Sequence, residues 1–185
     1  MRNQKHTSAA TSINGVKLPA AFNKVTPLGF ILDYGCGKYT RHIEKHVLSI
    51  SSFNQYASYD KYNQTPAHNM KSLIETRERG GADMVYCCNV LNVIDNDNTV
   101  QEVIQDLFDL TKDFGSIIIQ IYPGDKSGKG RETKPDCWQR NETAKSYGRF
   151  LNNVTTHCFK VRYAGNIILI TCVEQVLIPC FEEIL

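Results

Sequence analysis

At 185 residues the chain has the length of one domain, long enough for a sizeable core and too short to add a large recognition domain. Its formal net charge of +2 argues neither for nor against a nucleic-acid partner, and no apolar run approaches a membrane span. Seven cysteines, an odd number without a C-x-x-C pair, exclude a disulfide framework and fit free thiols in a reducing compartment, so a cytoplasmic location is expected. The start, Met1 to His6, lacks the apolar stretch of a signal peptide, so the sequon Asn141-Glu142-Thr143 carries no weight. Charge is uneven: Arg2, Lys5, Lys17 and Lys24 precede the first acidic residue, Asp33. Residues 1–28 therefore read as a basic N-terminal segment, either a solvated tail or an arm for phosphates, and 29–185 as a single domain.

Phe30-Ile31-Leu32 is the first long apolar signal, a buried strand running into the glycine turn Asp33-Tyr34-Gly35-Cys36-Gly37. Thr40 is placed to cap a helix with Ile43, Val47, Leu48 and Ile50 on its apolar side. A short strand, Tyr56 to Tyr59, ends at Asp60, and residues 61–67 form a loop. A helix follows from Met70 to Glu78 and stops at Gly80-Gly81. The next strand, Asp83 to Cys88, leads into Asn89-Val90-Leu91-Asn92-Val93-Ile94. Val100, Val103, Ile104, Leu107, Phe108 and Thr111 fall at helical spacing, with Glu102 and Asp106 outside and Gly115 at the end. Ser116 to Tyr122 is a central parallel strand. Residues 123–140 are a long Gly- and Lys-rich loop, and a helix is expected from Glu142 to Asn152. Phe159 to Tyr163 alternates, and Ala164-Gly165-Asn166 turns it into Ile167 to Ile170, a hairpin.

Strands alternating with helices and a closing hairpin predict an α/β fold: doubly wound, Rossmann-like, with a mostly parallel sheet and an antiparallel C-terminal hairpin strand. Only about 22 residues separate Asp60 from Asp83, where a full helix plus another strand barely fits, so that sheet edge is expected to be abbreviated.

In such sheets ligands bind beyond the carboxyl ends of the strands, where strand order reverses. Gly35 and Gly37 let backbone approach a ligand, and the following helix N-terminus favours its carboxylate. Asp33 offers negative charge to an ammonium. Asp60, ending the second strand, suits ribose hydroxyls, with Lys61 and Tyr62 flanking a base. Asn89 and Val90 stand where the reacting group would lie. A dinucleotide fingerprint needs a third glycine where Thr40 stands, which disfavours that cofactor.

D-x-G-C-G after an apolar strand, an acidic end to the next strand, and D-M-V-x-x-x-N-V-L together resemble the class I methyltransferases that use S-adenosylmethionine (SAM). A closer likeness is to short phage-type and DNA-phosphorothioation-associated methyltransferases, through Thr11-Ser12, Lys17-Leu18, Pro19, Leu32 to Gly37 and Asn89 to Asp95. The resemblance implies SAM as donor and S-adenosylhomocysteine (SAH) as product, with Asp33, Gly35, Cys36, Gly37, Asp60, Lys61, Asn89 and Val90 as cofactor residues. It implies in-line methyl transfer, in which the protein mainly positions and desolvates, so few diagnostic catalytic residues are expected; Asn89 and Tyr122 are the candidates. The D/N-P-P-Y/F motif of amino-methylating DNA enzymes is absent, since Asn89-Val90-Leu91-Asn92 stands in its place, and Pro179-Cys180 lies too late for a cytosine-C5 nucleophile.

No metal site is expected. His42 and His46 are four apart on a helix, but Glu44 is one position late for a zinc-protease helix, so a packed or solvated face is the reading. Adjacent Cys87 and Cys88 point to opposite faces of a strand. The 123–140 loop carries Lys126, Lys129, Arg131, Lys134 and Arg140 beside Trp138, Gln139 and Asn141. Basic groups for phosphate, an aromatic to stack and amides to read an edge suit nucleic acid; a mobile cover over the pocket is the plainer reading. A segment T-K-x-x-x-x-Q-x-N in the relatives matches Thr133-Lys134, Gln139 and Asn141, which makes Lys134, Trp138, Gln139, Arg140 and Asn141 the candidate substrate residues. Three functions follow: a methyltransferase on nucleic acid or a nucleotide-like acceptor, one on a small molecule or protein, or a non-catalytic SAM-binding protein.

Overall fold

The computed structural model describes residues 17–154 and 158–173; Arg2, Lys5, Thr11, Ser12, Pro179 and Cys180 lie outside them. In chain order the elements are α1 (Ala20–Lys24), β1 (Phe30–Tyr34), α2 (Arg41–Ile50), β2 (Gln55–Tyr59), α3 (Pro66–Glu78), β3 (Ala82–Cys88) and α4 (Asp97–Asp109). There follow β4 (Thr111–Gln120), β5 (Arg131–Lys134), β6 (Cys137–Gln139), α5 (Gly148–Leu151), β7 (Cys158–Ala164) and β8 (Ile167–Val173). The main sheet runs β2-β1-β3-β4-β8-β7. Its first four strands are parallel, and β8 is antiparallel to both β4 and β7. The predicted mostly parallel, doubly wound sheet with a terminal hairpin is therefore present. So is the abbreviated edge: among the described residues no strand lies beyond β2, and α3 alone carries the chain from β2 to β3. Strand order reverses between β1 and β3, which opens a crevice at their carboxyl ends.

Two apolar layers hold this sheet. On one face α4 packs Val100, Ile104, Leu107 and Phe108 against Leu32, Val85 and Ile119. On the other, Ile43 and Val47 of α2 meet Ile31 and Ile118. Cys87 belongs to the first layer and Cys88 packs on the second, as strand alternation requires. Only Ile43 and Val47 of the expected apolar side of α2 are buried, while Leu48 and Ile50 are exposed. Residues 17–28 belong by charge to the basic segment, yet α1 enters the core. Phe22 stacks on Tyr86 at 4.1 Å and 11°, and the Tyr86 hydroxyl donates to the Val25 carbonyl at 2.8 Å.

Local chemistry explains where elements depart from expectation. The helix α3 starts four residues early because Thr65 accepts the His68 N–H and Pro66 takes the first helical turn, where its missing N–H costs nothing. The helix α4 ends at Asp109 rather than Gly115, and β4 starts at Thr111 by way of an irregularity in its pairing with β3, at Phe114 with φ +61°. The 123–140 loop contains a hairpin, β5 against β6. The expected helix over 142–152 is a 3₁₀ turn, Ala144–Tyr147, leading into the short α5. No helix among the described residues is long and apolar enough to cross a membrane.

Candidate active site

A cavity of about 600 Å³ sits over the reversal point, within the range of small-molecule sites. Its middle is the glycine turn. The Gly35 and Cys36 N–H groups both donate to the Tyr59 carbonyl, at 2.7 and 3.2 Å, which ties the turn to the end of β2. Gly35 has φ +76°, and a Cβ there would stand 2.2 Å from the Val90 side chain, so only glycine fits. Gly37, at φ +74°, would meet nothing within 4 Å, so this turn leaves open space for a ligand to approach the backbone.

Asp60 braces the same turn. One oxygen accepts the Gly37 N–H at 2.8 Å; the other accepts from the N–H groups of Tyr62 and Asn63 and from the Asn63 amide. Asn69 of α3 clamps the backbone of Asp60 on both sides, accepting its N–H and donating to its carbonyl. The carboxylate is 7% exposed and lines the cavity, with capacity left on the oxygen that takes a single bond. Lys61 and Tyr62 line the rim beside it.

Asp33 lies one layer deeper, 2% exposed, and accepts from the Tyr56 hydroxyl at 2.9 Å. Burial, with the charge of Asp60 added and the Tyr56 bond opposing, pushes its carboxyl up to about 7. Burial likewise raises the thiols of Cys36, Cys87 and Cys88, so none is an activated nucleophile.

Asn89 follows β3 with φ +60°. Its side-chain oxygen accepts from Gln120 Nε2 at 3.3 Å, and Gln120 Oε1 accepts the Ala21 N–H at 2.7 Å. Gln120 thereby fastens the start of α1 beside Asn89, and Lys17, Leu18, Pro19 and Ala20 close one end of the cavity. The opposite end is walled by Tyr34, Tyr59, Glu102 and Asp106, with the Tyr34 hydroxyl donating to Asp106 at 2.7 Å. Helical periodicity alone puts Glu102 and Asp106 on the solvent side of their helix, and it does not single out Gln120. The signal for Gln120 is nonetheless in the chain: one polar residue inside the apolar run Ile117 to Ile121.

The five substrate candidates divide. Lys134 is exposed on the hairpin, and Trp138 lies half-buried over Gly130. Gln139, Arg140 and Asn141 are buried and already paired. Gln139 bridges Asn92 and the Tyr122 carbonyl. Arg140, 6% exposed, pairs with Asp97 and Glu142 and donates to the Ile94 carbonyl. Asn141 holds Asp125 and Lys129. Arg140 N–H also donates to the Asn92 carbonyl, so Gln139 and Arg140 anchor the hairpin to the 89–97 segment while Asn141 ties the loop to itself. Tyr122 is 60% exposed and does not line the cavity.

No protein-family model matches the chain, and no curated protein does. Solved structures do. TnmH superposes with TM-score 0.55 at 12% identity over 89% of this chain and 56% of its own. An O-methyltransferase family protein from Burkholderia thailandensis gives 0.49 at 16% identity over 89% and 55%. An O-methyltransferase of neocarzinostatin biosynthesis, solved with SAM and a methyl naphthoic acid, gives 0.49 at 13% identity over 88% and 52%. The chain thus spans just over half the length of these proteins, and the likeness to TnmH shows a shared fold.

Proposed function

We propose that this protein binds SAM and transfers its methyl group. The observation that carries the reading is the open glycine turn at the reversal point, closed from β2 by a buried acidic residue and facing a cavity large enough for cofactor and acceptor group together. Gly35 and Gly37 would bring backbone against the methionine part. Asp60 would accept from the ribose hydroxyls, and Asn89 would stand beside the sulfonium. When bound, SAM supplies an activated methyl carbon; the chain's part is to bind, orient and exclude water. Calorimetric titration with SAH tests the cofactor. Labelled-methyl transfer from SAM into a cell extract, with nuclease and protease digestion of the product, tests the acceptor.

Nucleic acid or a nucleotide-like molecule is the acceptor we favour, on the exposed Lys129, Arg131 and Lys134 around the hairpin and the half-buried Trp138. The likeness of Leu32 to Gly37 and Asn89 to Asp95 to short phage-type methyltransferases supports the same side. A small-molecule acceptor is the second reading. It is favoured by the inward pairing of Gln139, Arg140 and Asn141, which removes the groups suited to reading a base edge. Release of label by nuclease separates the two.

A further inference from the structure

We infer that Asn89 selects the acceptor by donating its side-chain N–H, so that the methyl goes to an oxygen and not to an amino group. The inference rests on the methyltransferase reading above and names the chemical class that site takes. The polarity of the amide is set from α1. Ala21 is the second residue of that helix, so its N–H has no partner within the helix, and Pro19 at the cap position makes no side-chain bond to it. Gln120 Oε1 accepts that N–H at 2.7 Å. A backbone N–H can only donate, which fixes the Gln120 amide with its oxygen toward Ala21 and its Nε2 toward Asn89. Nε2 also only donates, so the Asn89 atom 3.3 Å from it is Oδ1. Gln120 holds Asn89 from the backbone side as well, its carbonyl accepting the Asn89 N–H at 2.8 Å. Gln120 is thus a positioning residue that acts through Asn89.

What remains to Asn89 is Nδ2, with two N–H donors. Nδ2 has no acceptor among the described residues and, unlike the buried Tyr147 hydroxyl, is not sealed from solvent. Asn89 is half-buried, and the open space it lines is the cavity. Its donors are therefore left for a ligand. An amide turned the other way would steady an amino group by accepting its N–H through Oδ1; here that oxygen is spent on Gln120. An amino group would set N–H against N–H, whereas an oxygen completes the pair. In a nucleotide-like acceptor this selects a base oxygen over a base amine, and in a small molecule a carboxylate or an ionised phenol or enol. A lone pair of the oxygen anion forms the bond to the methyl carbon, and the carbon–sulfur bond breaks with its electrons staying on sulfur. The negative charge of the oxygen and the positive charge of the sulfonium vanish together, so no proton has to be placed.

The test compares wild type with Asn89→Asp and Gln120→Glu. Asn89→Asp keeps the shape and the bond from Gln120 but has no donor to offer. Gln120→Glu accepts from both Ala21 N–H and Asn89 Nδ2, which turns the Asn89 amide around. In both variants SAH affinity should stay within about threefold while labelled-methyl transfer from SAM into cell extract falls about 100-fold. Side-chain amide hydrogen exchange by NMR reads the polarity without turnover. In wild type with SAH bound the Asn89 hydrogens should exchange freely and a Gln120 hydrogen should be protected; in Gln120→Glu the Asn89 hydrogens should become protected. Mass spectrometry of the digested wild-type product should find the methyl on oxygen. A methyl on an amino nitrogen, protected Asn89 hydrogens in wild type with SAH alone, or transfer retained in Asn89→Asp overturns the inference. If wild type fails to bind SAH, the methyltransferase reading itself is what fails. If it binds SAH but labels nothing, the cofactor site stands and the role of Asn89 toward an acceptor falls.

Discussion

Replacing Asp33 by asparagine separates the charge at the floor of the site from its shape. The carboxyl is buried under the glycine turn and pushed up from 3.8 to about 7. As pH rises from about 4 to about 7 the unfolded chain gives up this proton while the folded chain keeps it. The folded form then binds more protons, so its stability falls across that window. The contribution is complete below about pH 4 and gone above about pH 7. At about 1.4 kcal/mol per pH unit, the loss is on the order of 4 kcal/mol. The side-chain amide of the Asp33→Asn variant still accepts from the Tyr56 hydroxyl but cannot ionise. Urea unfolding from about pH 4 to about pH 8.5 should show wild type losing stability relative to Asp33→Asn as pH rises, with the variant the more stable at the alkaline end. Curves that run parallel, or a variant less stable at the alkaline end, would refute the assignment of a strained buried carboxylate. With SAH present, the ligand ammonium should draw the proton off Asp33, so binding heats just below neutral pH should vary with buffer in wild type and not in the variant.

Asp60→Ala should weaken SAH binding by about 2–4 kcal/mol through loss of charge-assisted hydrogen bonds, read by calorimetry; unchanged affinity would remove the ribose assignment. Gly35→Ala should lower both Tm and SAH affinity, and Val90→Ala in the same chain should recover part of each. A cycle showing no coupling would mean that the Val90 contact is not what excludes a side chain. Arg140→Met should cost about 1–3 kcal/mol in urea unfolding, because it leaves the buried Ile94 carbonyl without its donor, while Arg149 still pairs with Glu142. Tyr147→Phe should be neutral or raise stability by about 1–3 kcal/mol, since its buried hydroxyl has no partner; a large loss of Tm would contradict this.

What is local in the chain was legible in it. The run Phe30 to Leu32 into a glycine pair could only be a buried strand ending in an open turn, and Gly165 between two alternating runs could only be a hairpin. The short span from Asp60 to Asp83 leaves little room for another strand beside a helix, and among the described residues the sheet ends at β2. Tertiary structure decided what depends on partners far apart in sequence. Basic and amide residues at 139–141 look like readers of a substrate until Arg140 meets Asp97, 43 residues away, and turns inward. Glu102 and Asp106 are exposed, as their helical spacing predicts, and only the fold shows that the cavity opens beside them, where the Tyr34 hydroxyl, 72 residues from Asp106, donates to its carboxylate. Ala21 and Gln120, 99 residues apart, join beside Asn89 and bring the start of α1 to the cavity. Periodicity and turn chemistry act within a few residues and are written in composition. Whether a polar side chain is spent on the protein or kept for a ligand depends on which distant group reaches it first, and only the packed fold sets that.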